Sequence, residues 1–354
     1  MKIATVEVLP VRIPIEGQHA ESVSAAVARV RTDDGLEGLG HVIPFSALHF
    51  RSLVVAIEEL GELLVGEDPQ RPEHLHRKLV PSGTGFGGVD NVAVSALDIA
   101  GWDLAAKAAG LPLYRALGGY RNRVPVYASL RLGRTVATAD LPRVAVSLVE
   151  QGFRAMKMNL GGQPSLEAEV ARVRAVREAI GPDVRLLADA NSRWTPAEAI
   201  RVGRELEPFR LFWLEDPVPI HDLAGLAEVR RALDTPIATA EGLFSLTAFP
   251  PLFAARAVDV PMPDLARVGG ITPFVKVAHL AEAYGLPLAC HLLPEISAQA
   301  VAAVPNGYIV EYVSWAWPLF QGCPALDNGE LVLSERPGHG LELDQEFVAR
   351  HALR

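Results

Sequence analysis

A chain of 354 residues is longer than one small core needs, so it predicts one large domain joined to a smaller one. Apolar residues make up 49%, with 30 Gly and 27 Pro, which is the composition of a packed α/β protein and argues against disorder. A net charge of −9 with no dense block of Lys and Arg argues against nucleic acid as a partner, and two cysteines, Cys290 and Cys323, are too few for a disulfide framework.

The opening "MKIATVEVLPVRIP" alternates, is interrupted by Glu7, and reads as a first strand, not as a signal peptide. No uncharged apolar run approaches membrane-spanning length, and a reducing cytoplasm is the simplest location. "ATVEVLPVRI" and "AAVARVRTDDGLEGLGHV" predict antiparallel strands turning at "TDDGLEG". Helices follow at "HFRSLVVAIEELGELLVG" and at "NVAVSALDIAGWDLAAKAAG", the second ended by Gly110 and Pro112, with Trp102 expected in helix packing. Residues 1–120 thus read as an α+β unit.

From residue 121 the texture changes to short apolar strands separated by amphipathic helices. The strand candidates are "VPVYASL", "FRAMKMNL", "VRLLADAN", "LFWLEDP", "PIATAEG", "AVDVPMPDL", "LPLACHLL" and "YIVEY". Between them lie the helical stretches "SLEAEVARVRAVREAIG", "TPAEAIRVGREL", "DLAGLAEVRRAL" and "TPFVKVAHLAEAYG". Eight strands alternating with helices predict a parallel sheet closed into a barrel over residues 121–320. The connection from His291 to Glu311 shows no strong full-length helical pattern, so an irregular close is expected there. Residues 321–354 are expected to return to the first unit.

From the second strand onward, each candidate ends on a reactive side chain: Lys157, Asp189, Glu215, Glu241, Asp264, His291 and Glu311. Barrel active sites are built on that rim. Asp189, Glu215 and Glu241 are 26 and 26 residues apart (215 − 189, 241 − 215), one strand–helix unit each. Three carboxylates converging on one point repel unless a cation lies between them, and all-oxygen ligation suits Mg²⁺ first. A single such acid is more often an N-cap or salt-bridge partner; the set of three favours metal. Asp264 on the strand before His291 can hold one imidazole nitrogen and make the ring a general base. Lys157 in such a site needs an anion, whether a ligand carboxylate or that of a substrate.

The stretches "GFRAMKMNLG", "LLADANSRWTPAEA", "WLEDPVP", "PIATAEG", "MPDLARVGGITPFVKVAHLAEAYGLPLACHLLPEIS" and "AAVPNGYIVEY" resemble the enolase superfamily, and within it the mandelate racemase subgroup. The resemblance covers nearly the whole chain and implies an α+β capping domain over a modified (β/α)7β barrel that abstracts the proton α to a carboxylate. By position it implies Mg²⁺ on Asp189, Glu215 and Glu241, and a His291–Asp264 base dyad. It further implies Lys157 on a substrate carboxylate oxygen, Glu311 donating to the enediolate, and a symmetric homo-oligomer. Burial of Glu311 is expected to keep it neutral for that donation.

Many such proteins carry a second lysine, a base on the opposite face, where this chain has Asn159. An amide moves no proton at neutral pH. The departure removes the usual two-base racemisation route and favours β-elimination by His291 alone, with a sugar acid dehydrated. Asn159, Asn191 and Arg131 are the expected substrate contacts, and His19 and His41 lie where capping loops close over such a site. Cys290 is expected to point into the core. The alternatives are a racemase, epimerase or cycloisomerase, and a barrel that binds a ligand without catalysis.

Overall fold

The computed structural model describes residues 1–15, 21–44, 47–80 and 87–353. At the start of the chain, strands β1 (Ile3–Pro14), β2 (Ser22–Thr32) and β3 (Glu37–Val42) form an antiparallel meander, with Val8 paired to Ala28 and Ala28 to Gly40. Against it pack helices α1 (Phe50–Glu62), α2 (Pro72–Leu79) and α3 (Val89–Ala108). α3 is apolar on nearly every side, because the sheet covers one face and the second unit another; Ala96, Leu97, Asp98, Ala100 and Asp103 are all buried.

After the short helix α4 (Leu113–Ala116), eight parallel strands alternate with seven helices. They run β4 (Arg123–Leu132), α5 (Leu141–Glu150), β5 (Ala155–Asn159), α6 (Leu166–Ile180), β6 (Arg185–Asp189), α7 (Pro196–Leu206), β7 (Leu214–Glu215) and α8 (Leu223–Ala232). Then come β8 (Ile237–Thr239), α9 (Phe249–Ala254), β9 (Val260–Pro261), α10 (Ile271–Ala283), β10 (Leu288–Cys290), α11 (Pro294–Ala303) and β11 (Gly307–Tyr312). Strand helices start where the chain offers caps: Ser165 and Thr195 accept from the backbone of their first turns, Thr195 in a capping box with Glu198. The order β10-β11-β4-β5-β6-β7-β8-β9 becomes a closed (β/α)7β barrel through one parallel bridge, Asp264 to His291.

The expectation of a weak final connection is corrected. α11 is a ten-residue helix, and all ten residues are buried. A helix enclosed on every side has no polar face, so "PEISAQAVAA" carries no amphipathic period to read. Several strands are also shorter than their apolar runs, β7 and β9 having only two residues each. The paired backbone stops there because the chain turns into rim loops.

The tail adds β12 (Phe320–Gln321), β13 (Ala325–Asp327), β14 (Glu330–Val332), β15 (Glu342–Leu343) and α12 (Gln345–His351). β14 pairs with the start of β4, whereas α12 packs on β1 and the Leu353 amide donates to Pro10 O at 2.8 Å.

Polar contacts weld α3 to the barrel. The Thr272 amide and hydroxyl donate to the two oxygens of Asp98 at 2.9 and 2.6 Å, and Trp102 Nε1 donates to Thr272 Oγ1 at 2.8 Å. Gly270 (φ +105°) lets the backbone come this close, since a Cβ there would lie 2.4 Å from Asp98 Oδ2. Trp102 therefore joins the two units as well as packing. Asp98→Ala leaves the Thr272 donors buried without acceptors and is expected to lower unfolding free energy by roughly 2 to 3 kcal/mol, read from denaturant midpoints.

Candidate active site at the C-terminal rim of the barrel

The barrel lumen is filled by Tyr127, Ala155, Leu187, Trp213, Ala238, Val260, Met262, Ala289 and Ile309. Two residues further along six of these eight strands, on the same face, stand Lys157, Asp189, Glu215, Asp264, His291 and Glu311. The strand period alone therefore lifts these side chains above a closed apolar floor. Glu241 is three residues beyond Ala238, out of phase by one. Ala240 between them has φ +103°, a backbone state that favours glycine, and this turn re-aims Glu241 toward His291. Seven of the ten non-glycine residues with positive φ among the described residues lie at or just past barrel strand ends: Leu130, Asn191, Ser192, Asp216, Ala240, Leu292 and Leu293. Such conformations cost about 1–3 kcal/mol each and collect where a scaffold must aim side chains.

His291 Nδ1 lies 2.6 Å from Asp264 Oδ2, and the bridge that closes the barrel aligns these same two residues. The other ring nitrogen, Nε2, faces Glu241 Oε2 at 3.2 Å and Glu311 Oε2 at 3.5 Å. Across the site, Lys157 Nζ lies 2.5 Å from Glu215 Oε1, 2.9 Å from Glu311 Oε1 and 3.6 Å from Asp189 Oδ2. Strand register sets these abreast, Asn159 opposite Asp189 and Asp189 opposite Glu215. Trp213 Nε1 anchors the second Glu215 oxygen at 3.0 Å. Arg267 reaches Glu241 Oε1 at 3.4 Å and Asp264 Oδ2 at 3.8 Å.

The charges do not balance among themselves. Asp189, Glu215, Glu241, Asp264 and Glu311 are five carboxylates, facing at most three positive groups in Lys157, Arg267 and a protonated His291. Burial first, and then neighbouring acids, push Glu215 well up, and Asp216 rises to about 8 for the same reasons, with Glu241 its chief anionic neighbour. Asp189 is raised by burial, against the pull of Lys157. His291 would be lowered by burial, but Glu241, Glu311 and Asp264 raise it to about 9. For Lys157, burial is likewise overridden by Glu215 and Glu311, and the amine stays charged.

Such an arrangement accepts a hard cation. Asp189, Glu215 and Glu241 offer only oxygen, the donor type that suits a hard divalent ion. Among the described residues no three acidic, His or Cys side chains already stand at ligand spacing around one point: Asp189 and Glu215 close on Lys157 Nζ, whereas Glu241 turns to His291 and Arg267.

The expectation for Glu311 is corrected. Burial would raise its pKa, but Lys157 and His291 outweigh burial and bring it to about 2, so the carboxylate is ionised and not a ready donor. Asn159 and Asn191 turn toward Asp189: their amide nitrogens donate to its Oδ2 at 3.3 and 2.8 Å. Arg131 is not brought to the cluster. Leu130 (φ +65°) bends the strand end, and the exposed Arg131 lines a cavity of about 360 Å³ with Leu148, Gln151 and Tyr312. His41 is buried and bonded to Glu295 at 2.6 Å across the junction of the two units, so it supplies no acid to the site. His19 lies outside the described residues. Cys290 is buried in the outer core, away from the lumen. Sequence reasoning missed Arg267, Arg134 and Asp216; Asp216 was legible as the acid following Glu215 in "LEDP".

A capped barrel bearing a His–Asp pair, a buried lysine and a rim of carboxylates defines an enzyme that moves a proton next to a carboxylate. Family models match twice, "Mandelate racemase / muconate lactonizing enzyme, N-terminal domain" over residues 2–118 and "Enolase C-terminal domain-like" over 140–347. The chain belongs to the mandelate racemase/muconate lactonizing enzyme family of the enolase superfamily. It is 37% identical to L-talarate/galactarate dehydratase of Salmonella typhimurium, over 92% of this chain and 81% of that one. It is 35% identical to 3,6-anhydro-α-L-galactonate cycloisomerase of Streptomyces coelicolor over 97% of each. The solved L-talarate dehydratase from a Polaromonas species, complexed with Mg and L-glucarate, superimposes with TM-score 0.93 at 36% identity, covering 100% of this chain and 98% of the other.

A cation drawn to acids whose pKa values are raised must displace protons. Mg²⁺ binding near pH 7 is expected to release protons, seen as a titration enthalpy that changes with the ionisation enthalpy of the buffer. A buffer-independent enthalpy would contradict the raised values of Glu215 and Asp216.

Proposed function

We propose that this protein is a magnesium-dependent dehydratase of sugar acids, forming an enediolate from a hydroxy-carboxylate with a single histidine base. One imidazole, His291, is held by Asp264 at 2.6 Å, while the position two residues past Lys157 is an amide, Asn159, that transfers no proton. That contrast carries the reading, together with the dehydratase and Mg-bound relatives. Asp189, Glu215 and Glu241 would hold the ion, which when bound neutralises the charge that develops on the substrate carboxylate.

The chain's own groups supply the rest. Asp264 keeps the proton on Nδ1; a cation held by Glu241 would lift the negative charge that keeps the ring protonated, leaving Nε2 to take the α-proton. The electron pair left behind becomes the Cα=Cβ bond as the β-hydroxyl departs, and the imidazolium returns its proton to that oxygen. Water leaves, and the enol settles as a 2-keto-3-deoxy acid. Lys157, charged and buried, faces one carboxylate oxygen of the substrate, with Glu311 on the other side of the developing enediolate. The functional division we assign is 1–120 for the cap, 121–320 for the barrel and 321–354 for the returning segment. A symmetric homo-oligomer and a cytoplasmic location rest on family likeness; no helix among the described residues is long and apolar enough to cross a membrane.

The test is a panel of mono- and diacid sugars with Mg²⁺ in D₂O. A 2-keto-3-deoxy product is expected, with turnover falling roughly 10²–10⁴-fold in His291→Asn. Inversion at Cα without loss of water would point instead to a racemase or epimerase. A product isomeric with its substrate, formed by opening or closing a ring, would favour a cycloisomerase, a reading to which the Streptomyces relative matched over 97% of its length lends weight. If no acid shows metal-dependent exchange, a binding barrel without catalysis is favoured.

A further inference from the structure

Asn159 departs from the two-lysine pattern, and its neighbours show what the chain has built there. Asn191 Oδ1 accepts two bonds, from Asn159 Nδ2 at 3.1 Å and from Arg134 Nη2 at 2.5 Å. Both lone pairs of that oxygen are used, so the orientation of the amide is settled. Its other end must face Asp189, and it does: Asn191 Nδ2 donates to Asp189 Oδ2 at 2.8 Å and Asn191 N donates to Oδ1 at 2.7 Å. Arg134 itself is held by Leu160 O and lies 3.5 Å from Asp189 O, so one guanidinium spans the ends of β5 and β6.

The glycine pair after Asn159 makes this possible. A Cβ on Gly162 would lie 3.0 Å from Arg134 Cδ and 3.2 Å from its Cβ, so the arginine stem rests on bare backbone.

We propose that Arg134 is a positioning residue for the cation site, acting through Asn191 to fix the carboxylate of Asp189. The proposal rests on the reading that Asp189 is a ligand. A permanent positive charge stands one layer outside the acids, and its influence passes through an amide that can neither take nor give a proton. Without Arg134, only Asn159 Nδ2 holds the Asn191 oxygen, and a flip that sets this oxygen against Asp189 Oδ2, repelling the ligand from its place, is opposed by one bond instead of two. A lysine cannot replace the fork, because its single nitrogen cannot meet Leu160 O, Asp189 O and Asn191 Oδ1 together.

The test is Mn²⁺ binding to the full chain, followed by electron paramagnetic resonance of the free ion, with circular dichroism of each variant beside it. Arg134→Met is expected to weaken binding roughly 10–100-fold, the range for partners that orient a ligand. Arg134→Lys keeps the stem and the charge, and is expected to recover only part of that loss. Asn191→Ala should weaken binding similarly, and the double variant Arg134→Met/Asn191→Ala no further than Asn191→Ala alone, because the arginine acts through the amide. Native-like spectra with Mn²⁺ affinity unchanged in Arg134→Met, or losses that multiply in the double variant, would overturn the proposal. Should Arg134→Met fail to fold, Arg134→Lys and Asn191→Ala decide by the same criterion. If the parent protein binds no Mn²⁺, the metal reading itself falls; if it binds and the variants are indifferent, only the role of Arg134 does.

Discussion

Five carboxylates gathered at one end of a closed barrel impose a demand for positive charge, and the rest of the site answers it. The lumen beneath is packed with buried, largely apolar side chains, which raises the cost of each charge held above it. Lys157 meets three of them, Arg267 two, and His291 is held toward its charged form. Burial first, and then the neighbouring acids, raise the pKa values of Glu215 and of the adjacent Asp216. Such acids offer oxygen ligands only, and this favours a hard divalent ion over protons. The neighbouring carboxylates also let the buried Lys157 remain charged.

Aiming the acids has a conformational cost. Regular strands place six of the seven rim residues by period alone, and the seventh requires Ala240 in a conformation suited to glycine. The dyad is cheaper. Because Asp264 and His291 form the backbone bridge that closes the barrel, their side chains are juxtaposed by the fold itself and need no separate loop. Closing the barrel and building the base are one event, so a defect at this seam damages both.

Much of this was legible in the sequence. A repeat of 26 residues and one reactive side chain per apolar run identified the barrel and its rim, since strand period and strand–helix length are local properties. The cap meander and α3 were legible for the same reason. α11 was not, because a helix buried on all sides carries no periodic contrast, and the short helix α2 was also missed. Arg131 was singled out and Arg134 missed, because the left-handed turn at Leu130 that bends this strand end leaves no mark in the sequence. The charge state of Glu311 was misjudged by weighing burial without the two cations beside it, which at this one acid outweigh desolvation.

The amide at position 159 also changes the proton economy of the site. A lysine there would add a positive charge and a second proton carrier on the face opposite His291. Asn159, Asn191 and Arg134 supply hydrogen bonds and charge at the same place with no titrating group. The positive charge is thereby kept apart from proton transfer, and on the proposed reading a substrate would exchange protons on the His291 side only. Inversion at Cα needs delivery from the opposite side, whereas β-elimination needs one base that becomes the acid for the departing hydroxyl. A barrel with a single imidazole and an opposite wall that carries no proton-transferring group therefore suits loss of water more readily than inversion.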